Sequence, residues 1–555
     1  MWRLIHAMII CLSFPYVTSA QSEDEIDKIA AFSGVSSEEE ISSEEFELLQ
    51  DALRHPLKVN LLSRSRLVSS GLLTAYQAAS LIDYRRRFGN VLSYAELAMV
   101  DGFGQHYVEV LKPFISLDIG GQDVLSATET NKVYNDLSLR GGYRYAVDEQ
   151  DWQYGLKYAL DASRFRLSFG ASRSRSAKTG APSDYTGSLS YDFKRIDAKV
   201  ILGDYNARFG QGLLAWNGSF INTLTSPSGY MKKPSGITPV RSFTGSVANT
   251  GIASEFGIGR FYITSAYALS GLKTANVRRI GRLGSVGLTT VCDGSWKSSI
   301  DAAICIKGVN FFGESAYDWI EHSTAFVAGT DFSPHENLRM ASLLNWTQSK
   351  QWQAAFSGNL THGNQRQGSL TFSSDFLYHL TPKDKSVKHS IQLKSQLRWE
   401  YKVLEQLTLR IRLSDRFRTW GLNHRTELRL ETAVPLKSWL LDTRVHVLKS
   451  RSHSILAYVD ASYRTAAITL HLRAGAFCVD NWDDRIYVYE YDAPGSFNVP
   501  AYYGRGVWTA SVLSWKLSRA VRLYVRGCYI SYPFMSVEKK KPGKAELKLQ
   551  TIFKF

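Results

Sequence analysis

Beyond its first twenty residues the chain has little cysteine and no long apolar run. After Cys11 come only Cys292, Cys305, Cys478 and Cys528. So few in 555 residues do not make a disulfide framework. Cys292 and Cys305 flank the turn-like stretch "DGSWKSS" and are the best-placed pair for an oxidising compartment; buried thiols are the alternative. No later stretch reaches the 18 or more apolar residues of a transmembrane helix, so a helical membrane anchor is not expected. An HExxH motif, a paired Cys/His metal spacing and a GxSxG elbow are all missing, and the twelve His are scattered. His106, in "GFGQHY", reads as an exposed helix residue. No catalytic residue, metal site or cofactor is therefore read from the sequence, and the chain is not expected to be an enzyme.

The N-terminus indicates export. Met1-Trp2-Arg3 is a short positive region, "LIHAMIICLSFPYV" (Leu4 to Val17) is an apolar core too short to span a bilayer, and "TSA" before Gln21 fits a cleavage site. Residues 1–20 are read as a signal peptide. Cys11 lies inside the apolar core behind Ile10, where a lipoprotein signal requires a small residue.

Charge divides the rest. Residues 21–51 carry eleven acids and one Lys, net −10; residues 52–118 carry net +3; residues 119–555 carry net +21. The acidic stretch, "SEDEIDK" to "SSEEEISSEEFELL", reads as a flexible segment with one short amphipathic helix through Phe46, Leu48 and Leu49. The basic body suits contact with polyanions, or is a set of solvated strand faces.

Residues 52–118 are helical by local cues. Thr74 and Gln77 make a capping box, followed by "AYQAASLIDYRRRF" and a stop at Gly89; Ala78, Leu81 and Ile82 share one face. Ser93 and Glu96 make a second box, whose helix ends in the Asp101–Gly104 turn before another helix through Val108 and Leu111.

From about residue 119 the period changes to two. In "IQLKSQLRWEY", Ile391, Leu393, Leu397, Trp399 and Tyr401 lie on one face and Gln392, Lys394, Gln396, Arg398 and Glu400 on the other. "LTLRIRL", "ELRLETAV" and "RFRLSFGAS" alternate likewise. A soluble β-protein and a membrane barrel both fit this pattern. Segments of about 9–11 residues, and aromatics near their ends among 29 Tyr, 27 Phe and 13 Trp, favour the barrel. In "AELKLQTIFKF" apolar residues alternate up to Phe553 and Phe555, with Ile552 the exception. This resembles the assembly signal of bacterial outer-membrane barrels, which implies the barrel-assembly machinery and outer-membrane lipid as partners. At roughly 25–30 residues per strand and connection, residues 119–555 hold about 14–18 strands.

"PLKVNLLSRSRLVSSGLLTAYQAASLIDYRRRFGNVLSYAELAMVDGFGQHYVEVLKPF" (Pro56 to Phe114) resembles the tandem helix-hairpin-helix domain of competence-type DNA-uptake proteins. Asn60 and Ser63 fall where that family starts its first helix, Gly71-Leu72-Leu73-Thr74 is the first turn and Gly102-Phe103-Gly104 the second. The chain departs from the family at Leu73, where a glycine is usual, and in having Asp101 beside the second turn. "GDYNARFGQGLLAWNG" (Gly203 to Gly218) and "GITPVRSF" (Gly236 to Phe243) resemble stretches of the outer-membrane barrels that carry such a domain.

The fold expected is thus a small all-α tandem hairpin domain (52–118) followed by a large antiparallel transmembrane β-barrel (119–555). The resemblance implies non-specific binding of duplex DNA on the periplasmic side, as in DNA uptake. Backbone N–H groups at Gly71, Leu72, Thr74, Gly102, Phe103 and Gly104 would grip phosphates. Arg64, Arg66, Arg85, Arg86, Arg87 and Lys112 would add charge. The alternative is an outer-membrane pore or assembly platform whose helical domain docks a periplasmic protein partner or acts as a plug.

Overall fold

The computed structural model describes residues 25–118 except 36, and 133–555 except 147–148, 163, 175–176, 178, 194–195, 219–223, 244–247, 349, 363–366, 384–388, 405–406, 422–423 and 535–541. The expected signal peptide and Cys11 lie outside the described residues.

The alternating sequence does what its period dictates. Successive side chains of a strand point to opposite faces, so each strand offers one apolar and one polar side. Twenty-four antiparallel strands of 8–15 residues pair in chain order, from Tyr134–Ala146 to Lys544–Lys554, and the last closes on the first. The Asn135 and Phe555 backbones exchange hydrogen bonds at 3.1 Å to complete the ring. The strand number exceeds the expected 14–18 because most connections are tight. At the end holding the chain termini, two to five residues join successive strands. The 437 residues from 119 therefore supply a strand about every 18.

The apolar faces point outward. Leu393, Leu397, Leu413, Leu547 and Leu549 are each at least 40 % exposed, whereas their neighbours Gln396, Arg412 and Gln550 are buried. Exposed Tyr134, Phe165, Phe261, Trp515 and Phe555 ring one end; Tyr145, Trp152, Trp296, Trp319 and Trp352 ring the other. An apolar band of this extent between two aromatic girdles is a lipid-facing surface. Ile552, out of step in the sequence, faces inward and packs with Ala493 and Tyr524.

Cys292 and Cys305 are both free. Cys292 sits opposite Trp296 at one end of a hairpin, and the Cys305 amide bonds the Leu283 carbonyl at the other end. The nine residues from Trp296 to Cys305 rise about 30 Å, which precludes the expected disulfide.

From Glu25 on, the described residues of the acidic segment are not a flexible tail. Glu25–Ser33 (α1) and Ser43–Arg54 (α2) are helices, joined through a short 3-10 turn at Glu38–Glu40. Ser42 caps α2 by accepting the Glu45 amide. Four more helices follow: Arg64–Ser69 (α3), Ala75–Phe88 (α4), Tyr94–Met99 (α5) and Gly104–Leu111 (α6). Ile29, Phe32, Phe46 and Leu49 share one core with Leu67, Leu72, Leu81 and Phe114, so the expected boundary at 51/52 vanishes into a single unit, residues 25–118. Burying these four apolar side chains is worth about 1.5–3 kcal/mol each, which orders a stretch whose charge alone reads as disordered.

If the outward face meets lipid, Leu549→Arg, at the middle of the last strand, costs about 2–4 kcal/mol, whereas Phe555→Arg at the girdle costs about 0–1 kcal/mol. Urea titration of the chain refolded into lipid vesicles should show a lowered midpoint for the first only; equal midpoints would contradict a lipid-facing band.

Candidate functional site

The helical unit lies in the barrel mouth at the termini end and reaches into the lumen. At the mouth, Arg66 pairs with Asp192 (3.2 Å) and Asp161 (3.5 Å), and Tyr76 donates to the Arg282 carbonyl in a rim turn. His106, expected to be exposed, is half-buried with Nε2 2.9 Å from the Glu336 carbonyl. Deeper in, α1, α2 and the turn between them meet the barrel wall.

That meeting is ionic. On the Leu407–Arg418, His424–Leu436 and Trp439–Lys449 strands, the inward positions carry Arg410, Arg412, Arg429 and Arg444. Asp27 pairs with Arg410 at 3.0 Å. Glu39 bridges Arg429 (3.1 Å) and Arg444 (2.6 Å), Glu38 also meets Arg444 (3.0 Å), and Glu40 lies 3.5 Å from Lys394. Burial alone would push the Glu39 carboxyl up, but Arg429, Arg444 and Arg412 outweigh it and hold the group well below the usual carboxylate range.

Two long connections fold into the lumen from the opposite end. The first, whose described residues lie within 209–248, holds the end of the Gly203–Gly218 stretch, which begins on the preceding strand Asp197–Arg208, and all of Gly236–Phe243. Gly203 has φ +90°, and a Cβ there would lie 2.1 Å from the Gly187 carbonyl oxygen. Pairing with the preceding wall strand ends here, pairing with the following one continues to Tyr205, and Tyr205–Arg208 pairs with Gly236–Pro239. Arg208 then reaches Glu44 of α2 (3.5 Å), and Glu314 on the wall accepts the Gln211 and Leu213 amides. Lys233 lies 3.8 Å from the Phe32 ring centroid, and Gly34 packs where a Cβ would come within 2.4 Å of the Gly229 nitrogen. The second connection, 480–503, places the Tyr489 amide 3.3 Å from Glu39 and offers Gln50 the Gly495 amide. The helical unit is thus clasped between wall and straps.

The predicted phosphate-gripping residues divide. Gly71 and Gly102 do adopt positive φ, +70° and +86°, as such turns require. Leu72 is fully buried; its amide donates to Ser70 Oγ and its carbonyl accepts from Tyr107. Thr74 spends its hydroxyl on the Gln77 amide in the expected capping box. Gly102 lies against the Tyr76 ring and its carbonyl accepts from Gln77, while Phe103 is buried. Gly104 alone of these faces open space. Among the basic residues, Arg64 stacks on Tyr262 and pairs with Asp197, Arg66 is tied to the wall, and Arg85 donates to the Val59 and Leu62 carbonyls. Arg86, Arg87 and Lys112 are exposed, Arg87 in a pair with Asp83.

Among the described residues no group of His, Cys, Asp and Glu gathers as a metal site would require. The residues that sequence reasoning missed are Asp27, Glu38, Glu39, Glu40 and the four arginines they face. Their signal was visible: a net −10 segment beside a net +21 body, Arg at alternate positions of "LTLRIRL", and Arg429 on the polar face of "ELRLETAV".

No protein-family profile matches the sequence, and no curated protein does. Among solved structures, the chain is similar to the P pilus usher (PapC) translocation pore (9 % identity, 76 % of this chain and 99 % of that one, TM-score 0.38). It is also similar to the siderophore receptor PirA from Pseudomonas aeruginosa (9 %, 77 % and 80 %, 0.41) and to OccD1 (OprD) (10 %, 77 % and 97 %, 0.32). At these values the likeness adds nothing to the barrel that strand pairing already establishes.

Glu39→Gln removes one member of a buried ionic cluster. Docking of α1 and α2 should weaken by about 3 kcal/mol, the low end for a broken buried pair, because Glu38 and Glu431 still face the arginines. Amide hydrogen exchange across residues 25–54 should accelerate accordingly, while exchange of the wall strands stays slow; unchanged exchange would refute the clamp. The pH sign follows from the lowered Glu39 group. Its contribution is full above the unfolded value of about 4.3 and is lost as pH falls through the lower folded value. Protection of residues 25–54 should therefore hold from neutral pH to about 4 and fail only below it.

Proposed function

We propose that the chain is an outer-membrane pore or receptor-like barrel whose N-terminal helical unit is its plug. The observation that carries this reading is the seating of residues 25–54 in the lumen, with Asp27 and Glu38–Glu40 on the wall arginines. The plug is docked by these ion pairs together with apolar contacts to Tyr262, Ile280, Tyr489 and Phe497, and the ionic part of that docking is lost when the pairs are exchanged for others. The barrel end with the termini and tight turns is assigned to the periplasm, so the plug enters from that side and the two long connections descend from the outer face.

Removal of residues 25–118 should convert a silent protein into a conducting one in planar lipid bilayers, with single-channel steps that the full chain lacks. Equal conductance with and without the helical unit would overturn the plug reading.

Non-specific duplex binding is the second reading. What favours it is the open approach to Gly104 and the exposure of Arg86, Arg87 and Lys112. With Arg64 and Arg66 engaged by the barrel and the first turn satisfied within the helical unit, this grip is confined to the second hairpin while the plug is seated. Binding of duplex DNA by the full chain at low salt, lost in Arg86→Ala/Arg87→Ala/Lys112→Ala, would uphold it; its absence would leave the plug as the role of the hairpins.

A further inference from the structure

The lumen wall beneath the plug is arranged in rows across neighbouring strands. One row alternates in sign: Glu400, Arg410, Glu431 and Arg444 are successive cross-strand partners. Two residues along each strand, towards the outer face, the next row does not alternate. Arg398 pairs in register with Arg412, Arg412 with Arg429, and Arg429 with His446. Further out, Lys394, Arg416 and Arg425 form another cationic row. Like charges directly opposite each other across a ladder destabilise it, so side-by-side cation rows imply a negative occupant.

The wall and the plug supply part of one. Glu400 pairs with Arg398, Glu427 with Arg425 and Glu431 with Arg429, while Glu39 and Glu40 of the plug meet Arg429 and Lys394. Among the described residues, however, Arg412 and Arg416 make no ion pair within 4 Å, and Arg416 Nε is buried with no hydrogen-bond partner. Guanidinium groups present forked donors that match carboxylate and phosphate oxygens in pairs. A strip of them facing a lumen is a binding surface for an anion with several such groups.

We propose that the Arg398–Arg412–Arg429 row, with Arg416, is a binding site for a small, multiply charged oxyanion, and that Glu38–Glu40 of the plug occupy part of it in the closed state. This rests on the plug reading and names the class of solute that the barrel takes. Ligand and plug compete for the same arginines, so anion binding loosens the plug and a seated plug weakens anion binding. By linkage the two effects are equal in size.

Isothermal titration of the full chain in detergent tests this, with tripolyphosphate and citrate as separate probes for phosphate and carboxylate chemistry. The Glu38→Gln/Glu39→Gln/Glu40→Gln chain should bind at least one of them tenfold or more tightly than the wild type. Adding Arg412→Gln/Arg416→Gln should reverse that gain by at least tenfold. Equal affinity of the wild type and the triple variant, or binding that survives loss of both arginines, overturns the proposal. Should the triple variant fail to close its barrel, as judged by electrophoretic mobility before and after heating, Arg412→Gln/Arg416→Gln in the wild-type background decides. A tenfold loss of tripolyphosphate binding upholds the site, and no change overturns it. Because the titration needs no ionic current, a chain that never conducts would defeat the pore reading without deciding this one.

Discussion

Arg410, Arg412, Arg429 and Arg444 stand on adjacent strands and face a closed lumen. Cations at cross-strand distance, shielded from bulk water by a protein wall, repel one another unless something negative lies between them. In this chain Glu431 and Glu427 supply part of that charge from the wall itself, and Asp27 with Glu38–Glu40 supply more from the N-terminus. The position of the helical unit follows from this requirement. The acidic turn is drawn to the basic wall, and the apolar faces of α1 and α2 then bury against the hairpins behind them.

The inward connections gain a reason from the same arrangement. "GDYNARFGQGLLAWNG" takes the chain off the wall beyond Tyr205, and Arg208 carries it to Glu44. "GITPVRSF" returns it, held by Ser168 and Ser188 donating to the Val240 carbonyl and by Lys199 donating to that of Ile237. Each carries the chain into the lumen and holds the helical unit from the end opposite the termini.

How much of this was legible in the sequence depends on whether a signal was local. The alternation in Ile391–Tyr401 and in the last strand places side chains correctly, down to Ile552, whose break in the pattern marks an inward contact. The capping box at Thr74 and the cap at Ser93 mark real helix starts, with Glu96 accepting the Leu92 amide in place of the Ser93 amide that a full box would use, and Gly89 marks a real stop. What a local reading misjudged was residues 21–51, because eleven acids without a visible partner look like a solvated tail. The partner lies some 370–410 positions away on strands whose inward Arg residues look, singly, like solvated polar faces. The Cys292–Cys305 pairing failed for a related reason, since the turn begins directly after Cys292 and the strand then carries Cys305 to the far end.

The measurement that bears most directly on the central claim is a cryo-electron microscopy map of the full chain in lipid nanodiscs at neutral pH. The account predicts density for Glu25–Arg54 inside the barrel, with the Glu39 carboxylate between Arg429 and Arg444. A barrel with an open lumen, and the helical unit outside it, would contradict the account.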